Sequence, residues 1–209
     1  ILTGCAGASV PAYSPNEGPK AAGLKNALSG IVSKSRTRVK DVSVSIPDTA
    51  VKAVVLEFDE LPANRQEAEE VIKWKAAKGF LVRPEDCVVA YQTIGASKGR
   101  KVFAAIADRK TVEGYEDAVS DSGIGVSVVG IHSFNVLNLF SESAQGETEG
   151  SFFAVTACKS FFSVMAVLDG AVDFYRCKET GEGEDMMPLV AATFASYKGK
   201  NPDADMSRA

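Results

Sequence analysis

The residue types that most often carry chemistry are few in this sequence and widely separated. There is one histidine, His132, and the cysteines are Cys5, Cys87, Cys158 and Cys177. A structural zinc site needs four such ligands, usually in closely spaced pairs, and this pattern excludes one. His132 has no Cys, Asp or Glu beside it in sequence, so we interpret it as a hydrogen-bonded core or edge residue. The sequence therefore predicts no metal site and no catalytic residue, and isolated thiols favour a reducing compartment.

The composition is that of an ordinary globular protein. The chain has 209 residues, 45% of them hydrophobic, and a net charge of −4, enough for one large domain or two small ones. The mild acidity argues against nucleic-acid binding, which favours a basic surface. The basic segment 34–40 could touch phosphate or a membrane, but we interpret it as a solvated turn. No apolar run approaches the roughly 20 residues that span a bilayer.

The first residues resemble a processing site. Leu2-Thr3-Gly4-Cys5 is similar to a bacterial lipoprotein cleavage box. The basic and apolar segments that a signal peptide needs do not precede it in the given sequence. We therefore interpret Ile1 as an interior position of a longer native chain.

The elements that would position any site centre on a strand–helix–strand–strand segment. Residues 51–58 are rich in β-branched and aromatic residues, which predicts a strand that ends at Leu61-Pro62. Asn64 is a predicted N-cap for the helix that follows, and Gly79 marks its end. We interpret Trp74, in that helix, as a core residue or one that packs along the sheet. Two further strands follow, joined by a hairpin-length loop at 95–99.

Further elements flank this segment on both sides. Apolar periodicity and turn residues predict a helix over 24–32, a strand over 42–46, a helix capped by Thr111, a strand over 126–131, a short helix capped by Ser133, three strands between 152 and 177, and a final helix with Pro188 in its first turn. Asp169-Gly170 predicts a two-residue hairpin turn between the last two strands.

A family resemblance is visible in the order of these segments. The sequence resembles the PilM group of type IV pilus assembly proteins, and more distantly the cytoplasmic part of the type II secretion protein GspL. The resemblance covers about 15–197 and rests on Ile46-Pro47-Asp48, Phe58-Asp59-Glu60-Leu61-Pro62, Ile72-Lys73-Trp74-Lys75, Tyr91-Gln92, the helix 112–123 with its Tyr115-Glu116, and Phe134-Asn135 with Leu137-Asn138.

The resemblance implies a fold class and a domain plan. The class is α+β or α/β: a partial actin-like ATPase fold on a ribonuclease H-like framework, related to FtsA-type proteins. It carries an inserted strand–helix–strand–strand (SHS2-type) module. The plan places the first framework subdomain at 1–48 and 124–140, without its N-terminal strands. The module would occupy 49–123, and residues 151–209 would form the first part of the second actin-like subdomain.

The nucleotide site implied by the resemblance is degenerate here. Actin-like ATPases bind phosphate on two Gly-containing hairpins, and the first is absent from this sequence. In the second hairpin, Thr156 and Cys158 occupy the positions where the family usually has Asp and Gly. The acid that would hold Mg²⁺ and the Gly that lets the backbone approach phosphate are therefore both missing. Lys159 and Ser160 complete this degenerate phosphate loop. We therefore expect no cofactor here, although ATP and Mg²⁺ are possible in the family.

Two functions from different classes follow from the resemblance. The first is a cytoplasmic scaffold, peripheral to the inner membrane, that docks the tail of a PilN-like single-span protein. Other pilus motor or secretion components are further partners that the resemblance implies. Its predicted partner-binding residues lie where module and framework meet: Ile46, Pro47, Asp48, Gly123 and Gly125. The alternative is an actin-like ATPase that hydrolyses ATP with Mg²⁺. A third interpretation is an unrelated αβ module, in which strands 42–46 and 126–131 lie in different sheets.

Overall fold

The computed structural model describes residues 21–34, 40–94, 100–143, 150–202, 204 and 206. Its helices are α1 (Ala21–Lys34), α2 (Arg65–Gly79), α3 (Arg109–Ser120), α4 (His132–Ser143) and α5 (Met186–Lys200). Its strands are β1 (Asp41–Ile46), β2 (Val51–Phe58), β3 (Cys87–Ile94), β4 (Arg100–Asp108), β5 (Gly125–Ile131), β6 (Phe152–Ala157), β7 (Phe161–Leu168) and β8 (Ala171–Glu179). The predictions made for 2–5, for most of the basic segment 34–40 and for the loop 95–99 lie outside the described residues.

The predicted strand–helix–strand–strand segment is confirmed as one folded module. Its sheet is antiparallel in the order β2-β4-β3, and α2 covers one face. Ile72 is fully buried between α2 and the sheet, where it belongs to the same core cluster as Val102 and Ala104. The helix can lie close to the strands because its other inward positions, Ala68 and Ala76, are small.

The two ends of α2 differ in how well the sequence predicted them. The predicted N-cap is confirmed, since the Asn64 side chain accepts from the backbone N–H groups of Gln66 and Glu67. At the other end the helix stops at Gly79, but the left-handed residue that closes it is Leu81, with φ of 56°. Val82 N donates to Ala77 O, and Leu81 N to Lys78 O, which is the pattern of a Schellman motif.

The interpretation of Trp74 as a core residue was wrong. Its side chain is 56% exposed, and the Lys78 ammonium lies 5.1 Å from the centroid of its ring. Trp74 lies on the face of α2 opposite the sheet, because the inward positions of the helix are Ala68, Ile72 and Ala76.

The framework strands pair as the actin-like prediction requires. β1 and β5 are parallel, with Asp41 opposite Gly125 and Ile46 opposite Ile131. This pairing overturns the third interpretation, which needed the two strands in different sheets. Helix α3 packs against α1 and β5, and the Lys25 ammonium lies 3.1 Å from the Asp121 carboxylate.

Two predicted helix caps need correction. Helix α3 is capped by Asp108, whose side chain accepts from the N–H of Thr111, so Thr111 lies within the first turn and is buried. Asp108 is the last residue of β4, so strand and helix join without a loop. Helix α4 begins at His132, so Ser133 is also inside the first turn.

The remaining strands form an antiparallel sheet in the order β6-β7-β8. The predicted turn at Asp169-Gly170 is confirmed, and both residues have positive φ, as a type I′ turn requires. Helix α5, capped by Asp185, covers one face of this sheet, where Phe162, Val164 and Val190 are buried.

The core of the chain lies where the three sheets meet. One cluster contains Ile46 of the framework, Phe103 and Ala105 of the module, and Val167 and Val172 of the last sheet. The face of the module sheet that α2 leaves uncovered is therefore buried against the rest of the chain. This shared core fixes the module relative to the framework.

A paired substitution tests the packing of the module. We expect Ile72→Ala to lower the free energy of unfolding by roughly 2 to 5 kcal/mol, because it leaves a cavity at a fully buried site. The neighbouring Val71→Ala, at a position that is 41% exposed, should change it by less than about 0.5 kcal/mol. Urea unfolding of both variants provides the measurement, and equal effects would contradict the described orientation of α2.

Candidate functional site

A buried carboxylate lies at the point where framework, module and last sheet converge. Asp48 is fully buried in the short turn between β1 and β2. Its Oδ1 accepts from the Ser133 N–H at 3.0 Å. Its Oδ2 accepts from the Ser163 hydroxyl at 2.5 Å and from the Tyr175 hydroxyl at 3.0 Å. A buried carboxylate is tolerated only when its oxygens are satisfied in this way.

The bond to Ser133 explains how α4 is capped. The first N–H groups of a helix have no partner within it, and a carboxylate at that end is favoured by the helix dipole. Asp48 supplies this carboxylate from 85 residues away in sequence. The hydroxyl of Ser133, which the sequence suggested as the cap, is buried and has no hydrogen-bond partner among the described residues.

Three aromatic rings surround this junction, one from each unit. Phe103 of β4, Phe134 of α4 and Tyr175 of β8 pack together, with ring centroids 5.3 to 6.3 Å apart. Tyr175 also donates its hydroxyl to Asp48, so the polar and apolar contacts share one side chain. The rings and the carboxylate together hold the three units in register.

The surroundings of Asp48 disfavour further negative charge. Burial, followed by the Asp48 charge, raises the pKa of the Tyr175 hydroxyl well above its usual value. Burial chiefly, with Asp48 adding to it, raises the pKa of the Cys177 thiol to about 11. The pKa of Cys158 is raised by the same two causes. These groups are therefore neutral at physiological pH, and they are hydrogen-bonding or apolar groups rather than nucleophiles.

The degenerate phosphate loop lies at the turn between β6 and β7. Thr156 faces Ser163 across the two strands, while Lys159 and Ser160 are exposed in the turn. The Cys158 N–H, which a phosphate would need, already donates to Phe161 O at 2.9 Å.

The residues present therefore do not fit a nucleotide triphosphate with Mg²⁺. Such a site needs free backbone donors, cationic partners and an acid for the metal, and Thr156 offers no carboxylate. Within the described ranges, no group of three or more His, Cys, Asp and Glu side chains is placed to hold a metal ion. His132, at the start of α4, is half-buried.

A groove of about 490 Å³ opens beside the Asp48 junction. It is lined by the start of the module (Thr49, Ala50, Lys52), by the loop after α2 (Leu81, Val82, Arg83, Asp86) and by the start of β3 and the β4–α3 junction (Cys87, Ile106, Ala107, Asp108, Thr111). The lining mixes aliphatic groups with charges of both signs. Arg83 pairs with Asp86, and Asp108 is engaged in capping α3.

None of the five residues predicted to bind a partner lines this groove. Ile46, Pro47 and Asp48 directly precede its first lining residue, Thr49, whereas Gly125 pairs with Asp41 at the opposite end of β1 from Ile46. Ile46 and Asp48 are buried inside the chain, so their side chains serve the fold. Gly125 donates its N–H to Lys40 O at 2.7 Å, and a Cβ there would lie 2.2 Å from Asp41 Oδ1. Gly123 is exposed, with φ of 77° and open space around it. A direct role for these residues in partner binding stays a prediction.

Sequence reasoning missed most of the groove residues. Thr49 and Ala50 follow the predicted Ile46-Pro47-Asp48 directly and could have been included. Leu81 and Arg83 carried no signal, because nothing in the local sequence places the loop after α2 beside the start of β2. The register of the sheet places them together, because the start of β3 and the start of β2 both lie opposite the end of β4.

A charge-removing substitution tests the Asp48 junction. We expect Asp48→Asn to lower the free energy of unfolding by about 2 kcal/mol, because one oxygen that accepts two hydroxyls is replaced by an NH₂ group. Asp41→Asn, at an exposed position on the adjoining strand, should change it by less than about 0.5 kcal/mol. Chemical unfolding compares the two, and a similar small effect in both would contradict the account of the junction.

A titration tests the degenerate phosphate loop. We expect no binding of ATP with Mg²⁺ by calorimetry, because the Cys158 N–H is engaged and no carboxylate is available at Thr156. A micromolar dissociation constant that Lys159→Ala weakened would show that this loop binds nucleotide and would refute the prediction.

Comparison with known proteins agrees with the fold inferred from these features. No protein-family model matches the sequence, and a search of curated proteins found no match either. Among solved structures, a chain of a PilM-PilN type IV pilus biogenesis complex is similar, with a TM-score of 0.70 and 19% identity. The match covers 90% of this chain and 56% of that one.

Two further structures share the architecture. The cytoplasmic domain of EpsL, an inner-membrane component of the Vibrio cholerae type II secretion system, matches over 80% of this chain and 60% of its own, with a TM-score of 0.52 and 14% identity. A Bacteroides thetaiotaomicron protein with an actin-like ATPase fold and unknown function matches over 85% and 62%, with a TM-score of 0.50 and 13% identity. The chain spans about three fifths of the length of these structures. It has the PilM-like, actin-like ATPase fold that its sequence resemblance implied.

Proposed function

We propose that this chain is a scaffold component of a type IV pilus or type II secretion assembly platform at the inner membrane. Two of the similar structures come from such machines, one in a complex with PilN and one as the cytoplasmic domain of an inner-membrane component. Among the described residues no helix is both long and apolar enough to cross a bilayer. The proposed location is cytoplasmic and peripheral to the membrane, through a membrane-bound partner.

The proposed partner is the cytoplasmic tail of a PilN-like protein, and the proposed contact is the groove beside Asp48. The single observation that supports this assignment is the position of the groove, whose lining begins at Thr49, directly after the predicted partner-binding residues Ile46, Pro47 and Asp48. A volume of about 490 Å³ suits a few residues of an extended chain rather than a folded domain.

The groove offers both types of contact that an extended peptide uses. Ala50, Leu81 and Val82 supply apolar surface for side chains. Lys52 and Arg83 supply cationic groups for carbonyls or acidic side chains. The β3 end of the groove belongs to an edge strand of the module sheet, and such a strand can pair with an added segment. The observation against an ATP-hydrolysing role is that the Cys158 N–H of the predicted phosphate loop is engaged with Phe161 O.

A peptide titration tests the proposal. The peptide is the N-terminal tail of the PilN-like protein encoded beside this chain's gene, and it is titrated against the full-length protein. We expect Lys52→Glu to weaken binding by roughly tenfold, because it reverses a charge in the groove.

Lys198→Glu serves as the matched control, since it makes the same charge change at an exposed position on α5. Its affinity should equal that of the unmodified protein. Absence of peptide binding to the unmodified full-length protein would refute the docking proposal. Equal weakening by both variants would place the binding site elsewhere.

A further inference from the structure

The C-terminal end of α2 carries exposed apolar side chains that the fold does not use. Trp74 is 56% exposed and Leu81 is 93% exposed, with Val71 at 41% one turn before Trp74. Lys78 joins the first two, because its ammonium lies over the Trp74 ring and its carbonyl accepts from the Leu81 N–H. We call Val71, Trp74, Lys78 and Leu81 the α2-end patch.

The conformation of Leu81 is unusual for its residue type. Its φ of 56° is the left-handed value that Gly adopts freely at the end of a helix. A leucine here strains the backbone and exposes nearly its whole side chain to water. The hydrogen bonds of the Schellman motif stabilise this turn, but the Leu81 side chain stays 93% exposed. A Leu at this position is explained by an apolar environment supplied from outside.

The charges around the patch indicate what that environment is. The segment 71–83 contains Lys73, Lys75, Lys78 and Arg83 and no acidic residue, in a chain whose net charge is −4. Two of these cations are paired, Lys73 with Glu70 and Arg83 with Asp86, whereas Lys78 is exposed and lies over the Trp74 ring. Exposed Trp and Leu side chains beside an exposed Lys are typical of surfaces that bind the interface of an anionic bilayer.

We infer that the α2-end patch contacts an anionic lipid bilayer directly. Trp74 and Leu81 would enter the headgroup region, and Lys78 would meet the lipid phosphates. The contact is separate from peptide docking, because Trp74 and Lys78 do not line the groove. Leu81 lies at both places, so a bound tail would leave the groove close to the membrane.

The sequence provides its own reporter for this contact. Trp74 is the only tryptophan of the chain, so its fluorescence reports the patch alone. We expect its emission to shift to the blue on mixing with phosphatidylglycerol-containing vesicles, but not with pure phosphatidylcholine vesicles. Added salt should reverse the shift, since it screens the attraction between charges.

Vesicle sedimentation of variants completes the test. We expect Lys78→Glu and Leu81→Gly each to reduce the bound fraction, with partition roughly tenfold weaker. Leu81→Gly should not lower the midpoint of thermal unfolding, because Gly suits the left-handed position. Met187→Ala, which removes a 71% exposed apolar side chain on α5, is the control and should bind as the unmodified protein does.

Several outcomes would overturn the inference. One is that anionic vesicles neither change the Trp74 emission spectrum nor sediment the protein. Another is that Met187→Ala and Leu81→Gly reduce the vesicle-bound fraction equally. A blue shift that depends on protein concentration without lipid would assign the patch to a second copy of the chain. A shift caused by the tail peptide alone would assign it to the peptide. Peptide affinity measured in Trp74→Ala separates the two proposals, because that variant should lose vesicles and keep the peptide.

Discussion

The arrangement of the chain depends on one buried carboxylate. Asp48 accepts hydrogen bonds from the first turn of α4 and from two hydroxyls of the last sheet, while its own turn leads into the module. A carboxylate in this position would be costly without all of these donors, so its burial requires the three units to hold their mutual positions. The rings of Phe103, Phe134 and Tyr175 provide the apolar part of the same junction. Thr49 and Ala50 follow Asp48 directly, so the shape of the groove is linked to it.

Much of the fold could be predicted because its signals are local. Strand propensity, the Asn64 cap and the Asp169-Gly170 turn each act within a few residues, and the structure confirms them. The junction could not be predicted, since the donors to Asp48 lie 85, 115 and 127 residues away in sequence. Trp74 was misplaced because a large aromatic residue suggests burial. The inward face of α2 instead uses small alanines, which let the helix approach the sheet.

The two proposed surfaces and the predicted phosphate loop lie on different sides of the Asp48 junction, which suits the scaffold function proposed above. At the β6–β7 turn the Cys158 N–H is engaged with Phe161 O, and we expect little affinity for a triphosphate there. The groove and the α2-end patch share Leu81. A tail that emerges from a bilayer could therefore enter the groove within a few residues, with the module itself resting on the lipid surface.

Hydrogen exchange with and without the PilN-like tail, in the absence of nucleotide, tests the docking account most directly. The account predicts slower exchange of backbone amides in 49–52 and 81–87, where the groove lies, and no change in 158–160 at the degenerate phosphate loop. Protection at 158–160, or unchanged exchange at both groove segments while the tail is bound, would contradict it.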